Sequence, residues 1–256
     1  MIISYTHKYV FVQVPNTGSD AIANELRANY GGASILRKHA YYPEFLAVAN
    51  PEEKEYRVLT SIRNPLDEAV AQYHRLKNND QGMYTDPRNM RDQGGWLVPT
   101  DRAKYRYVQD HNPDFAPFFL KFYTSPYTNT SCLSGNAPNF VIRFEHLQED
   151  FCRALDVLGI AQKRPLPCPP ESEGSMHDYR SYYTPECYDR AKRVFGPFMA
   201  RWGYQFPRQW GIASVPWPHK LHFTLLEALK RFYWMHLKWG NTRYARAFRA
   251  LWLRTS

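Results

Sequence analysis

Apolar residues fall in short runs separated by stretches of helical spacing. Residues 9–14 (YVFVQV) are rich in β-branched side chains and end abruptly at Pro15-Asn16-Thr17-Gly18, which predicts a buried strand. Directly after it Ile22, Leu26 and Tyr30 recur at helical spacing, Asp20 sits in the first turn, and Gly31-Gly32 stops the pattern. A second strand is expected at 56–62 (YRVLTSI), broken by Arg63-Asn64-Pro65, with a helix through Asp67, Val70 and Tyr73. A third, 140–144 (FVIRF), precedes a helix through Leu147, Phe151, Leu155 and Leu158 that ends at Gly159. A late helix opens at Thr184, its N-cap, with Pro185 in the first helical position. Strands alternating with helices predict an α/β fold, a mostly parallel sheet covered on both faces.

Between these elements lie polar, Pro- and Gly-containing stretches at 78–114 and 163–180, read as long loops of the kind that shape binding sites. Toward the C-terminus the pattern turns helical again. Leu221, Leu225, Leu229 and Phe232 share one face over 221–237, and Tyr244, Phe248, Leu251 and Trp252 share another over 242–253. The expected organisation is an α/β domain over 1–207 and a basic amphipathic helical tail over 208–256.

Composition narrows the classes. A chain of 256 residues with 44% hydrophobic and 22% charged residues is of globular type. No apolar run reaches the length of a membrane span, and no cleavable apolar segment precedes the first predicted strand, which points to the cytoplasm. The four cysteines are widely spaced and form no CxxC pair, so neither a zinc site nor a disulfide framework is expected, and no metal is implied. The net charge of +9 is unevenly placed. Nine Lys/Arg against the single acid Glu227 lie in 208–256, which leaves 24 of the 33 basic and 23 of the 24 acidic residues in 1–207. The body is thus nearly neutral, which disfavours a general nucleic-acid binder; the tail suits an anionic membrane surface, a second subunit or the body itself.

Two elements carry chemistry. Pro15-Asn16-Thr17-Gly18-Ser19 is a Gly turn from strand into helix, where backbone N–H groups and the helix dipole favour an anion, although the same sequence also serves as a plain turn. A Walker loop, GxxxxGK[ST], is absent, which disfavours an ATP- or GTP-driven phosphoryl transferase. Arg63 stands at the end of the second strand, where open α/β sheets bind ligands, and guanidinium suits phosphate in bidentate geometry. Read alone, it is also a surface Arg opening a helix that Asn64 caps.

Together these elements resemble the sulfotransferase superfamily, whose members move a sulfuryl group from 3′-phosphoadenosine 5′-phosphosulfate. The typical loop VPKTGGTS appears here as Val14-Pro15-Asn16-Thr17-Gly18-Ser19-Asp20-Ala21, and RNPYDRLVSxY as Arg63-Asn64-Pro65-Leu66-Asp67-Glu68-Ala69-Val70-Ala71-Gln72-Tyr73. VIRFEHLQEDFCRALDVLGI and YYTPECYDRAKRVF…WGY resemble the later segments, so the likeness spans about residues 8–206 in family order and lies nearest the glycan sulfotransferases and their bacterial relatives. The resemblance implies a P-loop-like parallel sheet flanked by helices, with the loop Pro15–Asp20 holding the phosphosulfate and Arg63 the 3′-phosphate. RKHAYYPEF (37–45) resembles the stretch bearing the family's base, which implies His39 as general base with Lys38 beside it, and a small-molecule or glycan hydroxyl as acceptor. Three positions depart from the pattern. The family lysine is Asn16, Asp20 puts a carboxylate beside the loop, and the family serine is Ala71. Either Lys38 replaces the missing charge, or the chain is a binding module on the same fold, recruited to a partner or membrane by its tail.

Overall fold

A computed structural model describes residues 1–90, 95, 97–134, 137–167, 178–211 and 215–238. Its strands are β1 (Ile2–Ser4), β2 (Tyr9–Val12), β3 (Ala33–Ser34), β4 (Arg57–Ile62) and β5 (Pro138–Arg143). Its α-helices are α1 (Ser19–Asn29), α2 (Tyr42–Val48), α3 (Pro65–Asn78), α4 (Pro99–His111), α5 (Phe115–Phe122), α6 (Leu147–Leu158), α7 (Pro185–Trp202) and α8 (Trp217–Phe232). Two compact units form: one from 1–63 with the described parts of 128–167 and 221–238, the other from the described parts of 64–127 and 178–220.

The first unit holds a five-stranded sheet in the order β3-β1-β2-β4-β5. β2, β4 and β5 run parallel, as the strand–helix alternation requires. β1 pairs antiparallel with both β2 and β3, so the sheet is mixed where a parallel one was expected. The cause is local. Only four residues join β1 to β2, enough for a hairpin but far too few for a parallel crossover.

Both faces of this sheet are buried, and side chains alternate between them as the pleat demands. Tyr9, Phe11, Leu59 and Ile142 pack with Ile22, Ala23 and Leu26 of α1 and with Phe151, Ala154 and Leu155 of α6. Ile3, Val10, Val12 and Val58 face the other way, onto Tyr42 and Phe45 of α2. The chain therefore leaves β2 through α1 on one face, reaches β3, and returns to β4 through α2 on the opposite face. The connections thus diverge at the carboxyl ends of β2 and β4, the position at which open α/β sheets take their ligands.

The second unit is helical, with an aromatic core that includes Tyr73, Phe115, Phe118, Phe119, Tyr183, Phe195 and Trp210. Here the expected loop at 78–114 is corrected: residues 99–111 form α4, opened by Pro99 in its first turn and closed at Asn112 in the left-handed region. Asn64 caps α3 as its sequence suggests, its side chain accepting from the Leu66 N–H at 3.0 Å. Thr184 precedes α7, yet its hydroxyl makes no cap bond and lies instead 3.7 Å from the Cys187 sulfur. α8 begins four residues earlier than its apolar pattern and continues as a π-helical turn over Tyr233–Lys238. The helix expected at 242–253, and most of the loop expected at 163–180, lie outside the described residues. Among the described residues no helix is long and apolar enough to cross a membrane.

Candidate active site

The turn between β2 and α1 is fixed from inside. Thr17 is 1% exposed, and its hydroxyl donates to the Val14 carbonyl at 2.7 Å. That proton is thereby committed, so in the 2.6 Å contact with Ser61 it is the Ser61 hydroxyl that donates to Thr17. A residue of β4 thus holds the loop that follows β2. Asn16 and Gly18 both adopt positive φ, 63° and 69°, a conformation that glycine takes freely and asparagine more readily than most residues. Gly18 serves as the N-cap of α1, and a Cβ there would come within 2.8 Å of the Leu147 side chain. The first N–H groups of α1, beginning at the buried Ser19, have no carbonyl of the same helix to meet.

Arg63 reaches the same loop from the end of β4. Its guanidinium lies 4.2 Å from the centroid of the Phe144 ring and donates to the Asn16 carbonyl at 3.4 Å. The Phe144 contact and the bond to Asn16 hold the guanidinium at the loop, and a planar, permanently charged group placed there suits an oxyanion. The Arg63 residue is 9% exposed, so its charge acts in a largely desolvated setting.

Lys38 and His39 arrive on the segment that leads into α2. Lys38 Nζ pairs with Asp20 Oδ2 at 2.9 Å, which brings an ammonium to the first turn of α1. Both partners are more than half exposed, so the pair adds little stability, but it offsets the Asp20 carboxylate beside the loop. His39 is half-buried in the left-handed region, φ 59°, with Nδ1 3.1 Å from the Gln13 carbonyl. A carbonyl can only accept, so Nδ1 carries the proton and neutral His39 keeps its lone pair on Nε2. Burial pushes the imidazole below its ordinary pKa and the Lys38 charge adds to this, while the Gln13 carbonyl works in the opposite direction. Arg37 and Glu44 brace the segment: their ion pair closes at 2.6 Å, and Glu44 also accepts from the Tyr41 N–H at 3.0 Å.

Two cavities border these residues. One, of about 300 Å³, is lined by Gln13, Asp20, Asn24, Arg27, Ser34 and Lys38 among others, and is bounded by two basic side chains. The other, of about 240 Å³, lies against Tyr41, two residues beyond His39, and is lined by Asn129, Thr130, Glu227, Lys230 and Trp234. The Trp234 ring meets Tyr41 edge to face, centroids 4.5 Å apart, and the buried Thr130 hydroxyl has no hydrogen-bond partner.

Within the sheet unit, then, Asn16, Thr17, Gly18 and Arg63 meet directly, Lys38 joins them through Asp20, and His39 is anchored to the end of β2 through Gln13. Pro15 and Ser19 complete the turn. Gln13, Ser61 and Phe144 escaped the sequence reading. Each acts across the fold rather than along the chain, although Gln13, a polar residue interrupting an apolar strand, was a visible irregularity. Among the described residues no three metal-binding side chains converge, and Cys132, Cys152 and Cys187 form no disulfide; Cys168 lies outside the described residues. No family model, curated protein or solved structure matches this chain.

Proposed function

We propose that the region at the carboxyl ends of β2 and β4 binds a nucleotide phosphosulfate and that the protein transfers its sulfuryl group to a hydroxyl. The observation that carries this reading is the meeting of two anion-binding elements, the turn into α1 and the buried Arg63, at the point where the sheet's connections reverse. A P-loop-like role for the turn fits its strand–turn–helix geometry, in which backbone N–H groups would meet a donor oxyanion.

In the proposed reaction His39 Nε2 takes the proton of the acceptor hydroxyl as its oxygen attacks sulfur. The bond from sulfur to the phosphate oxygen breaks, and adenosine 3′,5′-bisphosphate leaves with the electron pair. Lys38 supplies positive charge near the departing oxygens in place of the family lysine, steered by Asp20. Arg63 binds donor phosphate. The cavity beside Tyr41 and Trp234 has the aromatic and hydroxyl lining that an acceptor bearing several hydroxyls would use.

A binding module on the same fold remains the second reading, favoured by the uncharged, exposed Asn16. Calorimetric titration with adenosine 3′,5′-bisphosphate tests the donor site, with Arg63→Ala as the comparison and circular dichroism as the check on folding. Binding that weakens at least tenfold in the variant is expected, the equivalent of about 1.4 kcal/mol. A folded wild-type protein that takes up no bisphosphate overturns the proposal. Binding without sulfuryl transfer to any offered hydroxyl leaves the second reading in its place.

A further inference from the structure

α8 is oriented against the usual logic of an amphipathic helix. Phe223, 5% exposed, faces inward, and Glu227 and Lys230 on that side line a cavity. On the opposite side, by helical spacing, Leu221, Leu225, Leu229 and Phe232 are 48%, 53%, 64% and 55% exposed. Four large apolar side chains thus form an outward stripe about 16 Å long at 1.5 Å per residue. Trp217 stands exposed at the start of the same helix. Scattered apolar residues on a surface are ordinary, but an unbroken row over three turns is a binding face.

Charge decides what covers it. From Trp217 to Lys238 the chain carries Lys220, Lys230, Arg231 and Lys238 against Glu227 alone, and Lys220 and Arg231 lie together on one flank of the helix, between the stripe and its inward side. A second copy of this helix would bring like charges together. Residues 239–256, with four arginines and no acid, would do the same. A bilayer carrying anionic lipid supplies both an apolar interior for the leucines and negative headgroups for the basic flank.

We infer that α8 docks the protein on an anionic membrane surface, lying in the interface with its leucine stripe inserted. This goes beyond the proposed catalytic reading and does not depend on it. The test is co-sedimentation of the full chain with vesicles of phosphatidylcholine alone and with vesicles in which about one-third of the lipid is phosphatidylserine. Leu225→Glu and Leu229→Glu alter exposed positions and leave the inward side of α8 untouched. Selective binding to the anionic vesicles is expected, weakened by salt and reduced about tenfold or more by either substitution. A folded chain that stays monomeric and off the vesicles overturns the inference, and is the result expected if residues 239–256 cover the stripe. A dimer in light scattering that Leu225→Glu splits into monomers overturns it in favour of self-association.

Discussion

Single atoms decide how the candidate site is held and what it is able to do. The Ser61 hydroxyl donates to Thr17, which in turn donates to Val14, so one short relay fixes the turn between β2 and α1. Ser61→Ala removes one net hydrogen bond and is expected to cost about 1 kcal/mol in urea unfolding, since a water-sized gap is left beside a buried hydroxyl. His39 is poised differently. Because burial holds its imidazole below the ordinary histidine value, it gives up its proton at lower pH than a free imidazole and is then competent as a base. Sulfuryl transfer measured as kcat/KM is therefore expected to rise with pH through a midpoint under about 6.5 and to level off at neutrality. His39→Ala should abolish that dependence together with most of the turnover, while bisphosphate binding survives. A midpoint well above the ordinary histidine value would assign the base to another group.

At the level of elements, α1 follows directly on the turn at 15–18 and is tied to the chain beyond α6 by a buried carboxylate. Glu25, 1% exposed, receives two nitrogens of Arg164, the closest at 2.7 Å, and accepts from the Asn29 side chain at 2.7 Å. These bonds hold the Glu25 carboxyl below its usual pKa, the Arg164 contact being the main cause. Arg164→Ala leaves a buried charge with one neutral partner. The variant should be less stable at neutral pH, by less than loss of a fully buried pair would cost because Arg164 itself is half exposed. The sign of the pH effect follows from the depressed value. The stabilisation is present above the ordinary carboxyl range and disappears as pH falls through the lowered folded pKa, so wild type and variant should converge in acid denaturation.

Strong periodicity made β2, β4, β5, α1, α3 and α6 legible in the sequence, as the pairs Val10/Val12 and Leu147/Phe151 illustrate. β1 and β3 have three and two residues, too few to display an alternation, and they are what turns the expected parallel sheet into a mixed one. α4 hid in a polar stretch because among its residues only Val108 is buried, although Pro99 and Asp101 were genuine start signals. The turn at 15–19 and Arg63 could be picked out as site residues. Their mutual distance could not, because the pairing of β2 with β4 is a property of the whole sheet.

For the molecule as a whole, any ligand that binds only the folded sheet unit must stabilise it. Adenosine 3′,5′-bisphosphate at about 100 times its Kd is expected to add about 2.7 kcal/mol, visible as a rise in Tm that Arg63→Ala suppresses. An unshifted Tm at saturating concentrations would argue against the donor site independently of calorimetry. The uneven charge, a nearly neutral body with a basic C-terminal stretch, belongs to this scale too: on the proposed docking it would orient the chain toward an anionic surface before any contact forms.

The turn at 15–20 divides its residues into two populations. Thr17 and Ser19 are buried, whereas Asn16 and Asp20 face outward. The buried pair and Gly18 maintain the curvature of the backbone, and the outward pair sets the charge that an incoming molecule meets. On the proposed reading, ligand preference would thus be free to drift over generations without placing the architecture at risk. A lysine engineered at position 16 would change the affinities while costing the fold only the modest strain of a left-handed residue, about 1 kcal/mol.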